Sequence, residues 1–244
     1  MENIQRHIEQ GMRNAYHENL TLKTSYKSFE GSIVEYLVTV NVAQELIKWN
    51  EAENHTYSIS LEFDLIEFGS AAFQTTIEMI DLWDSKITAP QDKTVSLDDT
   101  GRLDIAIFGR EDESKCAIEA KGINPSYNKV GEDLERLAKL LTKTNGEPKN
   151  SIENCYSISL WYRGGSNRTS HENGLERTKQ SVRDQLKTQV DTVVSKYAVK
   201  IEEHVFDIVR ATSRGLNKLV IETYDQAAEE TGNIFGVILK LERK

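Results

Sequence analysis

The stretch from Gly101 to Gly122, GRLDIAIFGREDESKCAIEAKG, constrains the fold of this chain more than any other. It reads as two short strands joined by a charged turn. Side chains alternate between the two faces of a strand. Glu119 and Lys121 therefore share one face, and Cys116, Ile118 and Ala120 take the other. In the first strand Leu103, Ile105 and Ile107 share a face, and Asp104 stands opposite with Ala106 and Phe108. A hairpin symmetric about Glu111 and Asp112 sets Asp104 directly across from Glu119. Directly opposed residues have Cβ atoms roughly 4.5–5.5 Å apart. Two carboxylates at that separation repel by about 3–4 kcal/mol at an effective dielectric near 20. Such a pair needs a proton on one member or a cation between them. Lys121 supplies one positive charge nearby, and a divalent metal ion would supply the rest.

The remainder of the chain reads as an ordinary α/β pattern. Residues 1–28 are polar with weak helical periodicity, consistent with one amphipathic helix. Ser32 to Trp49 is a clearer helix, with Val38, Val42, Leu46 and Trp49 as its apolar stripe. Tyr57 to Leu65 alternates as a strand, and Ala71 to Trp83 has helical spacing. Ser85 to Thr100 reads as a loop. After the hairpin come a helix from Lys129 to Leu141 and a strand from Cys155 to Tyr162. Residues 163–174 form a Gly-, Ser- and Asn-rich loop, followed by a long helix from Leu175 to Tyr197. Three strand candidates close the chain: Val199 to Val209, Leu216 to Thr223 and Ile234 to Leu241.

A length of 244 residues fits one domain, and no repeat, low-complexity tract or linker divides it. Residues 1–244 read as a single domain with a core at about 30–162 and a C-terminal helix-and-strand extension at 163–244. Apolar content of 38% with 28% charged residues suits a soluble globular protein. Cys116 and Cys155 lack a CxxC spacing or a histidine cluster, which argues against zinc and for buried reduced thiols. With no apolar leader or long apolar run, the expectation is a cytoplasmic protein without a membrane partner. The net charge of −9 argues against a general nucleic-acid coat protein. It leaves room for a local basic groove on an acidic exterior.

Asp104 with the triplet Glu119-Ala120-Lys121 resembles the signature of the PD-(D/E)XK nuclease superfamily. The order of helix, strands, helix and strand over roughly residues 30–162 is similar to the core of that family. The proline that often precedes the aspartate is absent, and Leu103 stands there. The resemblance implies a restriction endonuclease-like fold, with a mixed central sheet flanked by helices. It implies an Mg²⁺-dependent endonuclease, with Mn²⁺ able to substitute, hydrolysing phosphodiester bonds with DNA as substrate. Asp104, Glu119 and the backbone carbonyl of Ala120 would hold the metal, and Lys121 would orient the attacking water or help deprotonate it.

Other residues carry two readings. Glu35 either points toward the site as a further catalytic carboxylate or completes a capping box with Ser32. Glu45 is a weaker candidate on the same helix, and its neighbour Lys48 suggests a solvated face. On the helix after the motif, Lys129 is nearest to the site in sequence, set against a solvated face with Glu132 and Arg136 paired at i,i+4. Arg163, Arg168, Arg177 and Arg183 are the clustered basic residues that could contact phosphates, although Glu172, Glu176 and Asp184 are interleaved with them. The alternative to a nuclease is a non-catalytic binding or assembly subunit on a nuclease fold, acting as a homodimer or beside a partner chain.

Overall fold

The computed structural model describes residues 3–25, 33–72, 101–142, 150–163, 171–209 and 233–244. These form α1 (Ile4–Ser25), α2 (Ile33–Ala52), β1 (Ser58–Asp64), α3 (Leu65–Ala71), β2 (Arg102–Phe108), β3 (Ser114–Ile123), α4 (Tyr127–Thr142), β4 (Asn154–Arg163), α5 (His171–Lys196), β5 (Val199–Val209) and β6 (Asn233–Arg243). The fold is α/β, with a mixed six-stranded open sheet in the order β1-β2-β3-β4-β6-β5. β3 and β4 run parallel, joined by the crossover helix α4, and the other neighbours are antiparallel. The strand β6 lies between β4 and β5, so the C-terminal residues continue the same sheet.

Helices cover both faces. On one, α1 and α2 bury Ile8, Met12, Val38, Val42 and Leu46 against Ile105, Ile107 and Ile118. On the other, α4 and α5 bury Leu134, Leu137 and Leu186 against Ala117, Val237 and Leu239. Each fully buried Leu, Ile or Val contributes about 1.5–3 kcal/mol by leaving water. The stripe read as Val38, Val42, Leu46 and Trp49 is buried in full. No helix among the described residues is long and apolar enough to cross a membrane.

Several boundaries differ from the sequence reading for local reasons. The strand from Tyr57 stops at Asp64, whose Oδ1 accepts hydrogen bonds from the amides of Ile66 and Glu67 at 2.9 and 3.0 Å and so caps α3. Leu65 is therefore helical. The helix α5 begins at His171, inside the stretch read as loop up to residue 174, and β4 extends through Arg163. The helix read over Ala71 to Trp83 lies outside the described residues beyond Ala72, and so do the loop from Ser85 and the strand from Leu216.

One expectation about the hairpin is corrected. Leu103 packs in the α4–α5 cluster, while Ile105 and Ile107 pack in the α1–α2 cluster. The cause lies on the neighbouring strand. Glu62 has a left-handed backbone (φ 51°), and it sits between Leu61, which pairs with Ile105, and Phe63, which pairs with Leu103. A non-glycine residue there costs of order 1 kcal/mol and breaks strand alternation. Phe63 and its partner Leu103 both pack on the α4 side.

Candidate active site

The strands β2 and β3 pair through Ile105↔Ile118, Ala106↔Ala117 and Ile107↔Cys116. The pairing ends at Ile105, and just beyond it the Asp104 carboxyl lies within hydrogen-bonding reach of Glu119. The hairpin is not symmetric near its turn. Phe108 pairs with Ser114, which leaves Lys115 as an extra residue on β3. This bulge lies on the turn side of the Ile107↔Cys116 pair, away from Asp104 and Glu119. A second irregularity follows the site. Lys121 pairs with Ser159 and Ile123 with Leu160, so Gly122 is the unpaired residue. A Cβ at Gly122 would stand 3.2 Å from the backbone nitrogen of Glu35. Glycine there lets the start of α2 approach β3, which brings Glu35 to the site.

Asp104 is half-buried, and its Oδ2 accepts a 2.6 Å hydrogen bond from the amide of Ala120. Glu119 is 2% exposed. Lys121 Nζ lies 3.1 Å from Asp133 Oδ2 and 3.7 Å from Glu35 Oε1, and it donates to the Ala120 carbonyl at 3.2 Å. Arg136 closes the cluster. Its Nη2 donates to Asp133 Oδ1 at 2.7 Å, and its Nε lies 3.3 Å from Glu119 Oε1.

Sequence reasoning missed Asp133, and it assigned Arg136 the wrong partner. Arg136 pairs with Asp133 and Glu119, not with Glu132 at i,i+4. Lys129 is exposed. Asp133 lies on the apolar stripe of α4, among Val130, Leu134, Leu137 and Leu141, and is 2% exposed. Ser126 starts that helix by accepting the amide of Lys129 at 3.3 Å, which sets the face that Asp133 presents. The signal was available: a charged residue at a core position of an amphipathic helix needs a buried partner.

The electrostatics follow from a count. Asp104, Glu119, Asp133 and, at the edge, Glu35 face Lys121 and Arg136, four carboxyl groups against two cations. Negative charge is in excess. Burial pushes the Glu119 carboxyl up to about 9, and Asp104 and Asp133 add to the rise while Arg136 opposes it. Glu119 thus holds the balancing proton near neutrality. Burial also raises Asp104, against its hydrogen bond from Ala120 and the charge of Lys121. For Lys121 burial opposes the charge, but Asp133, Asp104, Glu119 and Glu35 outweigh it and hold the pKa above the usual lysine value. Glu119 Oε1, Asp133 Oδ2 and Arg136 Nε are buried with no hydrogen bond, although each faces an opposite charge.

The donor set was tested against Mg²⁺. Among the described residues no three His, Cys, Asp or Glu side chains converge as a ready metal cage. Mg²⁺ takes oxygen ligands, keeps several waters and commonly uses one or two protein carboxylates. Asp104, Glu119 and the Ala120 carbonyl match that chemistry, and Glu119 Oε1 is a buried oxygen without a hydrogen bond.

The remaining candidates lie elsewhere. Glu35 is half-exposed at the edge of the cluster. Ser32, its capping partner in the alternative reading, lies outside the described residues. Glu45 is buried against α1, bound to Asn14 and Lys48, and not on a solvated face. Arg163 ends β4, and Arg168 lies outside the described residues. Arg177 is exposed on α5, and Arg183 pairs with Glu203 at 2.8 Å.

No protein-family profile, curated protein or solved structure matches this chain.

Proposed function

We propose that the chain is an Mg²⁺-dependent nuclease that cleaves DNA at the cluster of Asp104, Glu119 and Lys121, on a restriction endonuclease-like fold of the PD-(D/E)XK type. The observation that carries this reading is the convergence of those three side chains at one end of the β2–β3 pair, with Glu119 buried and its carboxyl raised by burial and by the neighbouring Asp104 and Asp133. Strongly shifted groups held by burial and by specific charges mark functional sites more often than structural ones. Asp104, Glu119 and the Ala120 carbonyl would hold the ion. When bound, it polarises the phosphate and acidifies a water.

The roles of the chain's own residues follow from their surroundings. Lys121 is held cationic by the acidic groups around it, Asp133 and Asp104 foremost, so it acts as a point charge that orients water or phosphate, not as a base. As a ligand of a divalent ion Glu119 would be ionised, the ion's charge taking the place of the proton. Arg136 lies 3.3 Å from Glu119 and would be the second positive charge beside the reacting phosphate.

The test is cleavage of supercoiled plasmid and of linear oligonucleotides with Mg²⁺ or Mn²⁺, comparing wild type with Lys121→Ala. Metal-dependent cleavage lost in the variant is the expected result. A second reading draws support from the same pair: the Arg136 guanidinium already lies against Glu119 where a cation is needed. That suits a non-catalytic binding subunit. Absence of cleavage under either ion, together with no thermal shift on adding it, would favour that reading.

A further inference from the structure

We propose that Asp133 is a positioning residue that holds the lysine of the site in its working place. This rests on the nuclease reading above. One buried carboxylate is shared between two cations. Its Oδ2 faces Lys121 Nζ at 3.1 Å, and its Oδ1 accepts from Arg136 Nη2 at 2.7 Å. Arg136 in turn lies against Glu119. Asp133 therefore ties α4 to the end of β3 at the two positive charges of the site.

A structural role alone explains this arrangement poorly. A buried salt bridge adds little net stability, and an apolar pair of similar volume often does as well. Every other buried position on α4 is apolar: Val130, Leu134, Leu137, Ala138, Leu140 and Leu141. A lysine has four rotatable bonds and gives no direction by itself. Without Asp133, the ammonium would be left to Glu35 at 3.7 Å, half-exposed and on another helix, or to the carboxylates it is meant to leave open. The side chain of Lys121 is only 14% exposed, so the anchor that fixes it must itself be buried. Asp133 is the buried carboxylate within reach that is not needed for the metal.

Asp133→Asn tests this, because it keeps the size of the side chain and removes its charge. In the Mg²⁺ cleavage assay kcat should fall by about 100-fold, the usual cost of a misplaced catalytic group. KM should stay within about threefold, since substrate binding is not the step affected. Mn²⁺ binding, read by electron paramagnetic resonance, should be kept. An independent reading is acylation of lysines followed by mass spectrometry, with exposed Lys129 as internal reference. Lys121 should be modified several times faster, relative to Lys129, in Asp133→Asn than in wild type. An unchanged kcat, an unchanged labelling ratio, or a loss of Mn²⁺ binding would each overturn the assignment. The last would make Asp133 a ligand. If wild type cleaves nothing, the nuclease reading fails while the labelling ratio still decides the role of Asp133. Should Asp133→Asn not fold, Asp133→Ser removes the same charge and is read in the same ways.

Discussion

Two carboxyl groups in this molecule, the partly buried Glu9 and the buried Glu119, meet similar partners with opposite results. Glu9 lies on α1. Its Oε1 accepts from Arg13 Nη2 at 2.6 Å and from Nε at 3.2 Å, and its Oε2 faces His204 Nε2 at 3.0 Å. Burial pushes it up, but the hydrogen bonds and charges of Arg13 and His204 outweigh this and hold it below the ordinary value. Glu119 also faces an arginine, at 3.3 Å, but its Oε1 has no hydrogen bond, and it shares the space with Asp104 and Asp133. Its carboxyl is held protonated. Glu9 is satisfied by directed donors, as a structural charge normally is. Glu119 shares a hydrogen bond with Asp104 but leaves Oε1 without one, and that open oxygen suits a ligand that arrives later.

The largest expected effect breaks the comparison by activity. Lys121→Ala and Glu119→Gln should each lower Mg²⁺-dependent plasmid cleavage by about 10²–10⁴-fold, the range for a positioned catalytic group. Glu9→Gln should leave it unchanged. Equal losses at both places would mean that folding, not chemistry, is being read.

Metal linkage gives the next effect. At a hundredfold excess over Kd, a bound ion stabilises a protein by about 2.7 kcal/mol. Calorimetry with Mn²⁺ should show a raised Tm in wild type and in Glu9→Gln, and no rise in Asp104→Asn. An equal rise in Asp104→Asn would remove the claim to a metal site at β2 and β3.

The pH dependence has opposite signs at the two carboxylates. Folded Glu119 keeps its proton up to about 9, whereas an unfolded glutamate loses it near 4.5. Between those values the folded state binds more protons, so its contribution to stability is lost as pH rises. Glu9 is depressed, so its contribution is present above about 4.5 and is lost as pH falls through the folded value. Denaturant titrations of the metal-free protein should show Glu119→Gln flattening the fall in stability between about pH 4.5 and 9, and Glu9→Gln flattening the acid limb below it. No change in the first of these would mean that Glu119 is ionised at neutrality and that the excess proton sits elsewhere.

The smallest effect concerns DNA binding. Each lost phosphate contact should lower the salt slope of duplex binding by about 0.9. With Ca²⁺ in place of Mg²⁺, Arg163→Ala and Arg168→Ala together should weaken binding to all sequences and reduce the slope accordingly. Arg177→Ala, at an exposed position, should reduce it more than Arg183→Ala, because Arg183 is committed to Glu203. An unchanged slope across all four would move the DNA to another surface or to a partner chain.

Much of the hairpin and little of its surroundings could be read from the chain alone. Strand alternation is local, and so is the register across a short turn. The residues Ile105 to Ile107 and Cys116 to Ile118 therefore announced their pairing, and with it the nearness of Asp104 to Glu119. The apolar stripes of α2 and α4 were legible for the same reason. Leu103 was misread because it packs with its partner Phe63, some forty residues away on a strand whose alternation breaks at the left-handed Glu62. Asp133 and Arg136 were misread for a related reason. Helical spacing says which side of α4 is buried but not what waits beneath it. The third carboxylate, the second cation and the burial that protonates Glu119 all arise where α4 crosses the end of β3. A charge's surroundings are a property of that packing, so only the tertiary structure could decide them.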